Sequence, residues 1–311
     1  MVDISVVIPV YMAEQCLEEL YVRLTNSLSS ITDSYEIILI EDAGPDSSWD
    51  KIVDLAARDK KILGIQFSRN FGQHYGITAG LDVCKGEWVV VMDCDLQDMP
   101  EDIPRLYDKA SEGYDVVVGK RKRRNASFLR RVIVNIFYSM FRYLSGTNYD
   151  GSVGNFRIMS RDVVENVRKF REQLRFFGVM VDWLGYPTGA IEIEQDKSVR
   201  GESSYTYRKL ISLAFGAIIA YSDKPLWLAV KLGFFVSAVS VFAGLYIVYR
   251  YFSLGIPVEG WSSLMVSLFF LGGIIIGLMG IIGVYLGKTF DEVKRRPLYV
   301  VRRVTETEQR E

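Results

Sequence analysis

Residues 89 to 100 read VVVMDCDLQDMP, and the reading of this stretch decides the fold. An apolar, β-branched run of strand length stops at Asp93, Cys94 and Asp95. Burying an unpaired carboxylate costs several kcal/mol, so the pair must meet water or a compensating charge. In extended chain alternate residues share a side, which puts Asp93 and Asp95 together and turns Cys94 away. Outward from this run, similar β-branched runs occupy residues 4–10, 36–40, 63–67 and 116–118. Amphipathic helical patterns fill 15–28, 48–58, 74–84 and 101–112. Strand and helix in alternation predict an α/β domain with a mainly parallel sheet covered on both faces.

Ligands of such sheets bind at the carboxyl ends of the strands. Those ends deliver VYMAE (10–14), EDAGPDSS (41–48), SRNFGQH (68–74) and DCDLQD (93–98) to one edge. There is no GxGxxG and no GxxxxGK[ST], so nicotinamide and P-loop readings lose their usual support. Two carboxylates on one side suit a hard cation, Mg²⁺ or Mn²⁺, which fills its other positions with water and phosphate oxygens. Gln97 can add a carbonyl ligand. Asp98 precedes Pro100 and Glu101 and is expected to cap a helix, without a catalytic role. The loop holding Asp42, Asp46 and Ser47 has two readings: turn and cap chemistry, or Glu41 or Asp42 accepting hydrogen bonds from a ribose or base. His74, the single histidine, is expected in a loop near the ligand rather than as a catalyst.

The chain has 311 residues, with 37 basic against 38 acidic side chains and a net charge of −1. No global field attracts nucleic acid. Cys16, Cys84 and Cys94 are an odd number without metal-binding spacing, which argues against a disulfide framework or zinc site and for a reducing compartment. The N-terminal apolar run is too short for a signal peptide and reads as the first strand.

Residues 226–249 and 264–286 are two apolar stretches that each exceed the roughly 20 residues needed to span a bilayer as helix. Basic residues lie before the first (Arg208, Lys209, Lys224) and after the second (Lys288, Lys294, Arg295, Arg296, Arg302, Arg303), while the connector SLGIPVEGWSS has none. By the positive-inside rule both termini face the cytoplasm. Gly273, Gly277, Gly280, Gly283 and Gly287 suit close packing on the first span or on a neighbouring subunit. Residues 120–131, KRKRRNASFLRR, either meet anionic headgroups or hold a lipid phosphate. Phe128, Val132, Ile136, Met140 and Leu144 continue them as an apolar helical stripe, and 210–221 is a second interfacial helix candidate. The tail PLYVVRRV is expected to add a strand to a neighbouring subunit, in a homo-oligomer such as a tetramer.

Together IPVY (8–11), EIILIEDAGPDSS (36–48), SRNFGQH (68–74), AGLDVCKGEWVVVMDCDLQDMPEDIP (79–104), GYDVVVGKR (113–121), VGNFRIMSRDVV (153–164) and RGESSY (200–205) resemble the polyprenyl-phosphate glycosyltransferases of glycosyltransferase family 2. The resemblance covers nearly the whole chain. It implies a GT-A fold, a nucleotide-sugar donor, UDP-linked by preference, a divalent metal, and a polyprenyl (undecaprenyl) phosphate acceptor in the bilayer. It assigns the metal to Asp93, Asp95 and Gln97, and nucleotide contacts to Pro9, Tyr11, Glu41 and Asp42, with Arg69 in the third loop. Arg121 and Arg157 join Asp93 and Asp95 as catalytic residues. Asn155 stands where the family's GDFR has Asp. Ser198 and Ser204 stand where its RxxGxSK loop has Arg and Lys, so either Lys197 and Arg200 cover the phosphates or this member binds its ligands differently.

The expected layout is a GT-A domain over 1–205, an interfacial helix over 206–224, two transmembrane helices within 225–287 and a cytoplasmic tail from 288. The expected reaction makes a lipid-linked sugar for cell-surface glycan such as O-antigen. Rival readings are a processive polysaccharide synthase, disfavoured because Gln173 is followed by LRFF rather than a QxxRW signature, and a membrane-tethered binding protein of the same fold.

Overall fold

The computed structural model describes residues 2–121, 153–194, 224–254 and 260–305. The 122–144 helix, the 210–221 helix, Lys197, Ser198, Arg200 and Ser204 therefore lie outside the described residues.

Among the described residues eight strands form one mixed sheet: β1 (Ile4–Val10), β2 (Tyr35–Glu41), β3 (Ile62–Phe67), β4 (Trp88–Val91), β5 (Val116–Arg121), β6 (Val153–Ser160), β7 (Thr188–Ile193) and β8 (Val301–Val304), in the spatial order β7-β5-β6-β4-β1-β2-β3-β8. The centre, β4-β1-β2-β3, is parallel. β6 enters antiparallel between β4 and β5, and β7 runs parallel to β5. The parallel strands are mostly apolar because both of their faces are buried, with Ser5, Glu36, Glu41 and Gln66 as polar exceptions. Val6, Ile8 and Val10 of β1 pack with α1 (Leu17–Ser29), α2 (Ser48–Arg58) and α4 (Ile103–Ala110). Val7, Ile38 and Ile40 face the other way, onto α3 (Gln73–Val83), α5 (Arg161–Lys169) and α6 (Phe177–Trp183). The result is a GT-A-like three-layer α/β fold.

β8 departs from expectation. It pairs antiparallel with β3 of its own chain rather than with a neighbouring subunit. Thr305 locks the end of this pairing: its N–H donates to Gly64 O, and its Oγ1 accepts from Gly64 N, each at 2.9 Å.

Chain contacts divide the molecule into two units, with the tail from Arg296 in the same unit as the sheet. The second unit holds α7 (Lys224–Leu254) and α8 (Trp261–Val293). Both are long and apolar enough to cross a membrane, over Leu226–Ile247 and Ser263–Val293, with mean hydropathy 2.0 and 2.5. Phe234, Phe242 and Ile276 are more than 70% exposed, so among the described residues no apolar layer of protein covers these side chains. Around Gly273, Gly277, Gly280, Gly283 and Gly287 a methyl group would meet nothing within 4 Å. Close packing of that glycine face on the first span is therefore not found among the described residues.

Candidate active site

All four parallel central strands end at one edge of the sheet, and the turns that follow are tightly bent. Met12, Ala43 and Leu96, in the turns after β1, β2 and β4, have φ of 52°, 50° and 60°. Non-glycine residues in this left-handed region cost roughly 1–3 kcal/mol each and cluster at functional sites. The turn after β4 corrects the extended-chain picture. The strand stops at Val91, and residues 94–95 form a turn, so it is this bend that gathers the acidic residues. Cys94 does point inward and is buried.

Asp93 is half-buried and held by two amides: Gln73 Nε2 donates to its Oδ1 at 2.5 Å and Asn155 Nδ2 donates to the same oxygen at 3.3 Å. Register explains the second contact, since Val91 pairs with Arg157 and two residues further on Asn155 lies across from Asp93. A carboxylate at 155 would repel Asp93; the amide gives it a donor. Burial pushes the Asp93 carboxyl above the ordinary range, with Asp95 adding to the rise. Asp95 is half-buried and accepts from the backbone N–H of Gln97 at 3.2 Å.

Asp98 is not a helix cap. Its side chain is fully buried, Met99 holds the cap position before Pro100, and no side-chain cap bond forms there. Asp98 instead faces Arg121 Nη2 at 3.4 Å. Burial raises its carboxyl to about 6, against the pull of Arg121 and with the push of Asp93 and Asp95. Arg121, the last residue of β5, lies flat on Gly154, where an added Cβ would come within 2.7 Å of Nη2. Its Nε is buried without a hydrogen-bond partner among the described residues. Arg157 is buried in β6, donates from Nη2 to Gly154 O at 3.0 Å, and lies 5.0 Å from the Phe177 ring centre.

Asp93 and Asp95 thus share the electrostatic neighbourhood of Asp98, whose close cation among the described residues is Arg121. This excess of negative charge and hard oxygen, together with the Gln97 amide, fits a divalent cation.

The nucleotide-contact candidates fall on the neighbouring turns. Glu41 is buried and accepts from Gly44 N at 2.5 Å and from Gln66 Nε2 at 3.1 Å. Asp42, also buried, accepts from Phe71 N at 2.7 Å and Gly72 N at 2.8 Å, tying the 68–72 loop to β2. Burial pushes both carboxyls up despite these donors. Asp46 accepts from Ser48 Oγ at 2.7 Å within its own turn and from Glu14 N at 3.1 Å in the turn after β1, tying the two turns together, while Ser47 makes no side-chain cap bond. Pro9 packs under Gly76 of α3, while Tyr11 is exposed at the end of β1. Arg69 is exposed, with its guanidinium 4.0 Å over the Phe71 ring.

His74 lies in the first turn of α3 rather than in a loop. Its Nδ1 faces Phe177 N at 3.5 Å, and burial together with Arg175 and Arg157 lowers it to about 4, so it is neutral near pH 7. Gln73 and Gly154 are the members of this arrangement that sequence reasoning did not single out. They lie within SRNFGQH and VGNFR, but nothing in those strings says which carboxylate or guanidinium they meet.

Residues 5–168 match the family model described as Glycosyl transferase family 2. An uncharacterized glycosyltransferase of Synechocystis sp. is 34% identical over 301 residues, covering 96% of this chain and 95% of its own. The SfII prophage-derived bactoprenol glucosyl transferase of Shigella flexneri is 34% identical over 301 residues, covering 96% and 97%. Among solved structures, the mannosyltransferase PcManGT from Pyrobaculum calidifontis, in complex with GDP-Man and Mn²⁺, aligns with TM-score 0.47 and 14% identity over 81% of this chain and 83% of its own. The match to the family model over more than half of the sequence, with relatives of this identity along nearly all of it, shows that the chain belongs to glycosyl transferase family 2.

Proposed function

We propose that this glycosyltransferase moves a sugar from a nucleotide-sugar, a UDP-sugar by preference, to a polyprenyl phosphate of undecaprenyl type on the cytoplasmic face of the inner membrane. The observation that carries the reading is the strand-end arrangement of Asp93, held by Gln73 and Asn155, with Asp95 nearby and the buried Asp98 paired with Arg121. The relatives named bactoprenol glucosyl transferases support the acceptor class. The product is a lipid-linked sugar for cell-surface glycan assembly, with residues 1–205 as the catalytic domain and α7 and α8 as its anchor.

In this reading a phosphate oxygen of the acceptor attacks the anomeric carbon. The bond from that carbon to the donor diphosphate breaks, the configuration inverts, and nucleoside diphosphate leaves. A phosphate is already anionic at neutral pH, so the nucleophile needs no strong base, which accords with an amide at Asn155 and a neutral His74. Alignment and charge neutralisation remain as the work of the site. Asp93, Asp95 and Gln97 would hold Mg²⁺ or Mn²⁺, and Gln73 and Asn155 keep Asp93 in one orientation. When bound, the cation neutralises charge on the diphosphate leaving group. Arg121 and Arg157 supply fixed positive charge for phosphate groups, while Glu41, Asp42, Pro9 and Tyr11 frame the nucleoside.

Membranes carrying the protein, given labelled UDP- or GDP-sugars and undecaprenyl phosphate, should transfer label into the organic phase. Chelator should abolish this transfer. Asp95→Asn should lower transfer by at least about 100-fold, or ~3 kcal/mol of barrier, while the protein stays folded. Absence of organic-phase label with every one of these donors overturns the function, and a fully active Asp95→Asn variant removes the metal from it.

A further inference from the structure

The tail that follows α8 does more than add an edge strand. Tyr299 stacks on Phe67, the last residue of β3, with ring centres 5.2 Å apart. Phe67 meets Phe71 edge-on at 5.5 Å, and Phe71 N is one of the two donors that fasten the 68–72 loop to Asp42. Ser68, where that loop begins, donates its N–H to Val300 O at 2.9 Å.

The same segment grips α3 at both ends. At the last turn, the Tyr299 hydroxyl donates to Asp82 Oδ2 at 2.8 Å, beside the Asp82–Arg171 ion pair. At the first turn the link runs through Gln173. The Tyr75 hydroxyl donates to Gln173 O at 2.5 Å, and Gln173 Nε2 donates to Arg296 O at 2.7 Å. α3 begins with Gln73, whose amide holds Asp93. Both the loop bound by Asp42 and the helix that presents Gln73 are therefore braced by residues 296–305, more than 200 positions away in sequence.

We propose that Tyr299 is a positioning residue of the transferase. By stacking on Phe67 and bonding Asp82, it fixes the 68–72 loop and α3, and so the Gln73 amide on Asp93. This rests on reading the strand-end turns as the donor site. It deepens that reading by making donor binding depend on docking of the chain that leaves the last apolar helix.

The test uses the full-length protein in detergent and the variants Tyr299→Ala and Tyr299→Phe. Hydrogen–deuterium exchange needs no donor. Tyr299→Ala should speed exchange at the Phe71 and Gly72 amides and in the first turn of α3 by about tenfold or more, while β1 amides keep their protection. Tyr299→Phe keeps the stacking and loses only the Asp82 bond, so it should show a smaller rise at the same places. It serves as the deciding variant if Tyr299→Ala does not fold. Calorimetric binding of UDP in the presence of Mn²⁺ should weaken about fivefold or more in Tyr299→Ala, with partial recovery in Tyr299→Phe. In the transfer assay the donor KM should rise with little change in kcat. Unchanged exchange at Phe71 and Gly72 overturns the proposal, and so does a rise spread evenly over β1, which marks a merely structural role. Failure of the wild-type protein to bind UDP or GDP with Mn²⁺ instead overturns the donor reading, and the exchange result then decides the bracing by itself.

Discussion

The pairing of Arg121 with Asp98 depends on a missing side chain. Only glycine at 154 leaves room for the guanidinium, because a Cβ there would overlap Nη2 at 2.7 Å and Cζ at 3.0 Å. The atoms in the way are the far end of a flexible side chain, so Gly154→Ala should displace Arg121 rather than unfold the sheet. The displaced arginine leaves the buried Asp98 carboxyl without its close cation, and a charge-assisted contact of this kind is worth ~1.5–3 kcal/mol. We expect kcat/KM for the donor to fall by about 10- to 100-fold. The melting temperature should stay within a few degrees of wild type; steady-state kinetics and thermal unfolding of purified Gly154→Ala check the pair of outcomes. Asp98 also shows why residue type alone misleads. An Asp two positions before a proline has the sequence signature of a cap, yet here a fully buried carboxylate serves an arginine 23 residues on, at the end of the next strand, β5.

Among elements, α3 is the one on which the site most depends. It brings Gln73 to Asp93 and packs close to the sheet through small residues, with Gly76 over Pro9 and Gly80 over Val7 and Ile40. A Cβ at Gly80 would lie 2.3 Å from Val7 Cγ1 and 2.8 Å from Ile40 Cδ1, both immobile core atoms. Gly80→Ala should therefore lift the helix off β1 and β2 and cost roughly 1–3 kcal/mol by overpacking. The expected signs are a melting temperature lower by several degrees and a higher metal requirement for transfer, since Gln73 moves with the helix. Melting unchanged from wild type would mean that α3 is less tightly seated than these distances imply. The sharp turns after β1, β2 and β4, each with one left-handed residue, lie at the same edge of the sheet as the start of this helix.

For the molecule as a whole, the decisive feature is a catalytic sheet joined in sequence to two long helices whose side chains are apolar and exposed. Water cannot solvate such surfaces cheaply, whereas lipid can, because every backbone group is satisfied within the helix. Cys16, Cys84 and Cys94 are all buried, so one introduced cysteine is readily distinguished by labelling. With both termini cytoplasmic, Ser253→Cys near the connector should react with a membrane-impermeant maleimide added to intact spheroplasts. Glu292→Cys, at the far end of α8, should react only after lysis. The reverse pattern would invert the orientation and move the catalytic domain away from cytoplasmic nucleotide-sugars.

Local chemistry along the chain was enough for much of this molecule. Continuous β-branched runs and 3.6-residue periodicity located β1 to β4 and the four helices near them, since each element must satisfy its own hydrogen bonds and bury its own apolar face. Length and hydropathy alone marked the two long helices, and the acidic ending of β4 marked the edge where chemistry belongs. Tertiary structure decided what depends on distant pairing. β6 enters antiparallel next to β4 and sets Asn155 opposite Asp93; its VGNFR string has no strand period to announce it. β8 returns to β3 of its own chain, a partner that an exposed, alternating VRRV segment cannot specify. The neutralising partner sought for the carboxylates of VVVMDCDLQDMP is likewise a matter of register. Arg121 and the amides of Gln73 and Asn155 arrive from other elements, and only the folded sheet brings charges so far apart in sequence within hydrogen-bonding range.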